Sequence, residues 1–159
     1  MSTRSTISII RKNGSKTKIY CHWDGYVEHN GVILQEFYNT PNKVEKLLAL
    51  GNLSSLGKQL GPFGDNPCVA YCRDKHEDFN QMRDDDLEEY NYTFDVNECV
   101  WYVDYHRLTK TSASNILNIP QLFLDQNHLL LDVILDSLIS QEKKEICIEK
   151  AKEGRALAN

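Results

Sequence analysis

Thr6-Ile7-Ser8-Ile9-Ile10 and Thr17-Lys18-Ile19-Tyr20-Cys21-His22-Trp23 are rich in β-forming residues and flank Asn13-Gly14. That dipeptide suits the positive φ angles of a tight turn, so the chain is expected to open with a β-hairpin. Along the second strand Ile19, Cys21 and Trp23 fall on one face and Lys18, Tyr20 and His22 on the other, which makes the first set the expected core face. Asp24-Gly25 ends the strand. From Asn30 to Tyr38 the apolar residues Ile33, Leu34, Phe37 and Tyr38 recur at helical spacing, and a second helix carries Val44, Leu47 and Leu48. Thr40 before Pro41 is a start signal for that helix, because Thr can cap it and Pro is tolerated at its first position. Gly51 is its expected stop. Leu53 to Pro67, punctuated by Gly57, Gly61, Pro62, Gly64 and Pro67, reads as a turn-rich connection.

Further on, Cys68 to Cys72 is expected to form a short strand, and Tyr90–Val96 and Cys99–Tyr105 a second hairpin across Asn97-Glu98. Tyr90, Tyr92, Phe94 and Val96 alternate on one of these strands, and Cys99, Trp101, Val103 and Tyr105 on the other. Residues 74–89 hold eight acidic residues against two basic ones and read as a solvated loop or short helix. Pro120 to Ser140 and Gln141 to Leu157 read as two helices, the first strongly apolar. Such a helix must pack on the sheet or against another copy of the chain, so 120–138 is the stretch through which a homo-oligomer would form. The expected fold is therefore α+β: an antiparallel sheet of about five strands (two hairpins plus one strand), helices packed on one face, and a C-terminal helical pair. The expected division is an α+β domain over 1–106 and a helical extension over 107–159.

Composition narrows the class of protein. With 41% hydrophobic and 26% charged residues, eight Gly and four Pro, the chain is neither collagen-like nor low-complexity. Its net charge of −5 is uneven: residues 1–73 carry +4, residues 74–106 carry −9 and residues 107–159 are neutral. A general nucleic-acid binder, which needs a basic face, is disfavoured. Five irregularly spaced cysteines fit a reducing, cytoplasmic setting, and the N-terminus lacks the apolar stretch of a secretory signal. The most apolar run, Leu129 to Leu135, is seven residues long and broken by Asp132, so no membrane anchor is expected.

The densest chemistry lies in Cys21-His22-Trp23-Asp24-Gly25-Tyr26 and the following His29-Asn30-Gly31, at a strand end followed by a helix start. There His22 can act as acid or base, Asp24 can orient it, and Trp23 or Tyr26 can stack on a ring. In the structural alternative Trp23 is core and Asp24-Gly25 simply a turn. Arg73, beside Asp74 at a strand end, can grip a carboxylate or phosphate through its planar fork, or can merely pair with Asp74. The acidic run containing Asp84, Asp85 and Asp86 can bind a divalent cation, can imitate a phosphate backbone and so compete with nucleic acid for a basic host protein, or can stay a solvated face. Cys68, Cys72 and His76 form a C-x3-C-x3-H pattern. On a strand the two cysteines would stand about 13 Å apart, too far to share one ion, and only a helical segment would bring them together, so no metal site is expected; no cofactor is expected either. Phosphate-loop, dinucleotide-binding, HExxH and GxSxG signatures are all missing, which sets aside the common hydrolase, kinase and dehydrogenase classes without excluding catalysis.

Several of these runs together resemble a widespread family of small phage and prophage proteins. They are Ser2-Thr3-Arg4-Ser5-Thr6-Ile7, Ile19 to Tyr26, Asn30-Gly31 with Leu34 and Tyr38, Val44 to Gly51, Leu53-Ser54-Ser55-Leu56-Gly57, Ala70-Tyr71 with Arg73-Asp74, and Trp101-Tyr102-Val103. The resemblance covers residues 1–106 and implies a viral accessory protein of the host bacterial cytoplasm. Proteins of this type commonly act in counter-defence, by inhibiting a host defence-related protein or sequestering a small nucleotide ligand. The alternative expectation is a small nucleotide-binding or hydrolytic enzyme using His22, Asp24, His29 and Arg73, with Tyr26 or Trp23 on the base.

Overall fold

A computed structural model describes residues 2–77, 82–83, 86–105 and 127–158 of the chain. The strands are β1 (Ser5–Ile10), β2 (Lys16–Cys21), β3 (Leu53–Ser55), β4 (Val69–Ala70), β5 (Tyr90–Asp95), β6 (Val100–Tyr105) and β7 (Asn127–Leu129). A π-helical turn, Val27–Gly31, runs into α1 (Val32–Phe37), followed by α2 (Pro41–Leu48), α3 (Tyr71–Lys75), α4 (Leu130–Leu135) and α5 (Gln141–Ala158). All seven strands join one sheet in the order β4-β3-β2-β1-β5-β6-β7.

The protein is α+β, but the expected antiparallel sheet of about five strands is overturned: the sheet has seven strands and is mixed. Its two hairpins, β1–β2 and β5–β6, are joined side by side through a parallel β1–β5 pairing, with Ile7 opposite Tyr92 and Ile9 opposite Phe94. A second parallel contact sets Leu53 of β3 beside Cys21 of β2. The extra strands are too short to leave a period in the sequence. β3 lies inside the turn-rich connection, where Asn52 Oδ1 accepts from the Tyr20 amide at 3.0 Å and guides the chain onto β2. β7 lies inside the apolar run expected to be helical and pairs antiparallel with β6, His128 opposite Val103. Residues 120–126, the first part of that expected helix, lie outside the described residues.

Local signals explain the elements that were foreseen. In the first turn Gly14 has φ 85° and Asn13 Oδ1 accepts from the Ser15 amide at 3.0 Å. Thr40 Oγ1 caps α2, accepting from the Lys43 amide at 3.3 Å, with Pro41 at the first helical position. The expected strand Cys68–Cys72 shrinks to Val69–Ala70, and the chain turns helical at Tyr71, where the Asp74 carboxylate accepts from the Ala70 amide at 2.8 Å.

The core lies between the helices and one sheet face. Ile7, Ile9, Ile19, Cys21, Leu53, Ala70, Tyr92, Phe94, Trp101 and Val103 meet Leu34, Val44, Leu47, Leu130, Ile134 and Cys147 there. Trp101 stands edge-on to Phe94 at 5.2 Å and donates its indole N–H to the Tyr38 carbonyl at 2.8 Å, so its one polar atom is satisfied inside. The opposite face carries buried polar residues: Thr6 donates to Asn91 Oδ1 at 2.8 Å, and Asn91 in turn donates to the Glu88 carbonyl at 2.8 Å.

Candidate functional site

Strand β2 stops at Cys21, one step before the alternation would have carried Trp23 into the core. Trp23 is instead 45% exposed, a correction to its expected core position. The amides of His22 and Trp23 donate to the Leu53 and Ser54 carbonyls at 3.1 and 3.0 Å, continuing the backbone course along β3. Asp24 then adopts a left-handed conformation, φ 56°, which Asp tolerates better than most residues, and swings the chain out of the sheet. Gly25 follows in a crevice where a Cβ would lie 2.8 Å from Ser5 Cβ and 2.9 Å from the Thr3 carbonyl oxygen. Its amide donates to that oxygen at 2.8 Å, and its carbonyl accepts from the Tyr92 hydroxyl at 2.6 Å. These bonds tie the loop to the segment leading into β1 and to β5.

Asn30, fully buried in the π-helical turn, completes the frame. Its amide nitrogen donates to the Trp23 carbonyl at 3.3 Å and lies 3.4 Å from Ser5 Oγ and 3.5 Å from Cys21 Sγ, while its Oδ1 meets His29 Nδ1 at 2.8 Å. His22 Nδ1 meets the Tyr20 hydroxyl at 2.7 Å, and the His22 ring stands perpendicular to Trp23 with centroids 4.7 Å apart. Tyr26 and His29 lie with ring centroids 6.0 Å apart. Tyr26 titrates above the ordinary phenol range because of its partial burial and the negative charge of the nearby Asp24 carboxylate. The sequence-predicted set His22, Trp23, Asp24, Tyr26 and His29 is thus gathered on one loop. The expected orientation of His22 by Asp24 is not formed: the Nδ1 partner of His22 is the Tyr20 hydroxyl. Tyr20 and Asn30, the two residues that hold the histidines, were not among the expected site residues.

Arg73 and Asp74 belong to a different construction. The Arg73 guanidinium donates to the Leu60 carbonyl at 2.9 Å, the Cys68 carbonyl at 2.8 Å, and both Asp74 carboxylate oxygens at 2.9 Å. Its fork is filled by the chain itself, clasping the 60–68 loop to α3. The hydrogen bonds from Arg73 hold Asp74 below the ordinary carboxylate range. Asp86 serves another local purpose: its carboxylate accepts from the Arg83 amide at 2.7 Å and its carbonyl from Lys18 Nζ at 2.9 Å. Asp84 and Asp85 lie outside the described residues.

Cys68 is buried and its thiol is pushed up by that burial, whereas Cys72 is exposed on α3. Among the described residues no three His, Cys, Asp or Glu side chains gather as they would around a metal ion. Nor is any helix there long and apolar enough to cross a membrane. A cleft of about 640 Å³ opens beside the π-helical turn, bordered by Val27, Glu28, Tyr90, His128, Asp132 and Asp136. With three carboxylates at its rim it disfavours an anionic ligand such as a nucleotide. Nothing in the local sequence pattern marks it, because its walls come from four separate segments. Comparison with protein-family models, curated proteins and solved structures gives no match to this chain.

Proposed function

We propose that the chain is a phage-type accessory protein of the bacterial cytoplasm that works by binding a host protein in counter-defence, with the 22–29 loop as its docking surface. The observation that carries this is Trp23: a large aromatic side chain, 45% exposed, braced edge-on by His22 on a loop whose backbone is tied down by Gly25 and Asn30. Rigid aromatic anchors of this kind lose little entropy on association and dominate protein interfaces. Capture of a nucleotide, or its hydrolysis, would call on Arg73 to grip phosphate, and that guanidinium is already engaged by Leu60, Cys68 and Asp74. The engagement of Arg73 thus supports a protein partner over a phosphate ligand.

A tagged chain is incubated with bacterial host lysate, and the captured proteins are identified beside native mass spectrometry of the complex. Trp23→Ala is expected to weaken capture at least about tenfold, the loss of one interface anchor, while the thermal transition stays in place. Capture that ignores the substitution, or a retained nucleotide in place of a protein, would overturn the proposal.

A further inference from the structure

The two histidines of the loop are held in opposite ways. A phenol is the better proton donor and an imidazole nitrogen the better acceptor, so the 2.7 Å contact between Tyr20 and His22 runs from the hydroxyl to Nδ1. Burial pushes the Tyr20 hydroxyl up to about 12, which keeps its proton in place across the physiological range. With Nδ1 accepting, neutral His22 carries its proton on Nε2. That nitrogen has no protein partner among the described residues and is not among the buried unpaired atoms, so it faces solvent beside the Trp23 ring.

His29 is the mirror case. The Trp23 carbonyl can only accept, so the Asn30 NH2 group faces it and Oδ1 faces His29. An amide oxygen only accepts, so His29 Nδ1 must carry the proton, and its Nε2 is left with a lone pair and no protein partner among the described residues.

We infer that Tyr20 and Asn30 are positioning residues that fix His22 as an outward N–H donor and His29 as an outward acceptor, and that this pair selects the partner. The matching protein surface offers a carbonyl or carboxylate oxygen to His22 and an N–H or O–H to His29. The use of the pair rests on the docking role proposed above; the tautomers do not.

Long-range ¹H–¹⁵N correlation spectra of the imidazoles at about pH 8, above the ordinary histidine range, read the tautomers in the protein alone. His22 is expected as the Nε2–H form and His29 as the Nδ1–H form. Tyr20→Phe should abolish the preference at His22 and leave that at His29 intact. Two histidines in the same form, or in the reverse assignment, would overturn the inference without touching the docking role. For the use of the donor, His22→Gln retains an N–H at the ε position, whereas His22→Asn offers one only at the δ position. Using the host protein recovered with the wild-type chain as probe, Gln should keep affinity and Asn should lose about tenfold. Equal affinity of the Asn variant and the wild type would overturn the selecting role. Indifference to Trp23→Ala would instead remove the docking role itself.

Discussion

A single residue decides whether the 22–29 loop exists in its present form. Gly25 is buried where β1, β5 and the loop converge, and a methyl group there would meet Ser5 and the Thr3 carbonyl inside normal contact distance. Both are firmly placed, since Ser5 lies in β1 and the Thr3 carbonyl already accepts from Gly25. Gly25→Ala is therefore expected to cost about 1–3 kcal/mol, the usual range for overpacking, read as a lower urea midpoint with an unchanged denaturant slope. Trp23 and Trp101 show what was legible at this scale. Alternation places Trp101 correctly because β6 runs through it without interruption and Tyr38 supplies its acceptor. The same alternation misplaces Trp23, because Asp24-Gly25 does more than end a strand. The left-handed turn at Asp24 diverts the chain from the sheet, and β2 stops at Cys21. The pairing of Arg73 with its neighbour Asp74 was legible as one of two readings; its acceptors at Leu60 and Cys68 were not, since they are brought to it only by the folded loop.

Between elements, the clearest polar tie runs from the first hairpin to α2. Arg11 at the end of β1 makes a two-pronged contact with Glu45, both distances 2.8 Å, which holds the Glu45 carboxyl below its ordinary value of 4.5. A depressed carboxylate contributes stability above its unfolded value and loses that contribution as the pH falls through the folded one. Because the side chains are 30% and 43% exposed, the contribution is held to about 1 kcal/mol or less by solvent screening. Glu45→Gln should thus be slightly less stable than wild type at neutral pH, and the gap should close as the pH is lowered below 4.5, as followed by thermal unfolding in a pH series. Hairpins and capped helices were legible from the sequence because their signals are local: Asn13-Gly14, Thr40-Pro41, and the alternation on either side of Asn97-Glu98. Strands β3 and β7 were not, because three residues carry no period and their conformation is imposed by the neighbours they pair with. At the junction of β7 and α4 the ambiguity is chemical as well, since Leu129-Leu130-Leu131 suits a buried strand or a buried helix equally.

At the scale of the whole molecule, the C-terminal elements share the core of the rest. Leu130, Ile134 and Cys147 are each fully buried within the same cluster as Ile7, Phe94 and Trp101. Burying a leucine or isoleucine is worth about 1.5–3 kcal/mol, so losing Leu130 and Ile134 alone forfeits about 3–6 kcal/mol, comparable to the lower end of the roughly 5–15 kcal/mol that a domain has in total. A chain ending at Tyr105 is expected to lack a cooperative thermal transition by circular dichroism. A sharp transition near that of the full chain would show that the first hundred residues stand alone. The parallel seam between β1 and β5 has a temporal consequence. Ser5 and Tyr90 are neighbours in the sheet, yet their codons are read far apart, so the β1–β2 hairpin leaves the ribosome with one edge of its innermost strand unclaimed. Until β5 emerges, that edge is a free template for any passing strand. During synthesis, the most central strand of the finished protein is therefore one of its most vulnerable.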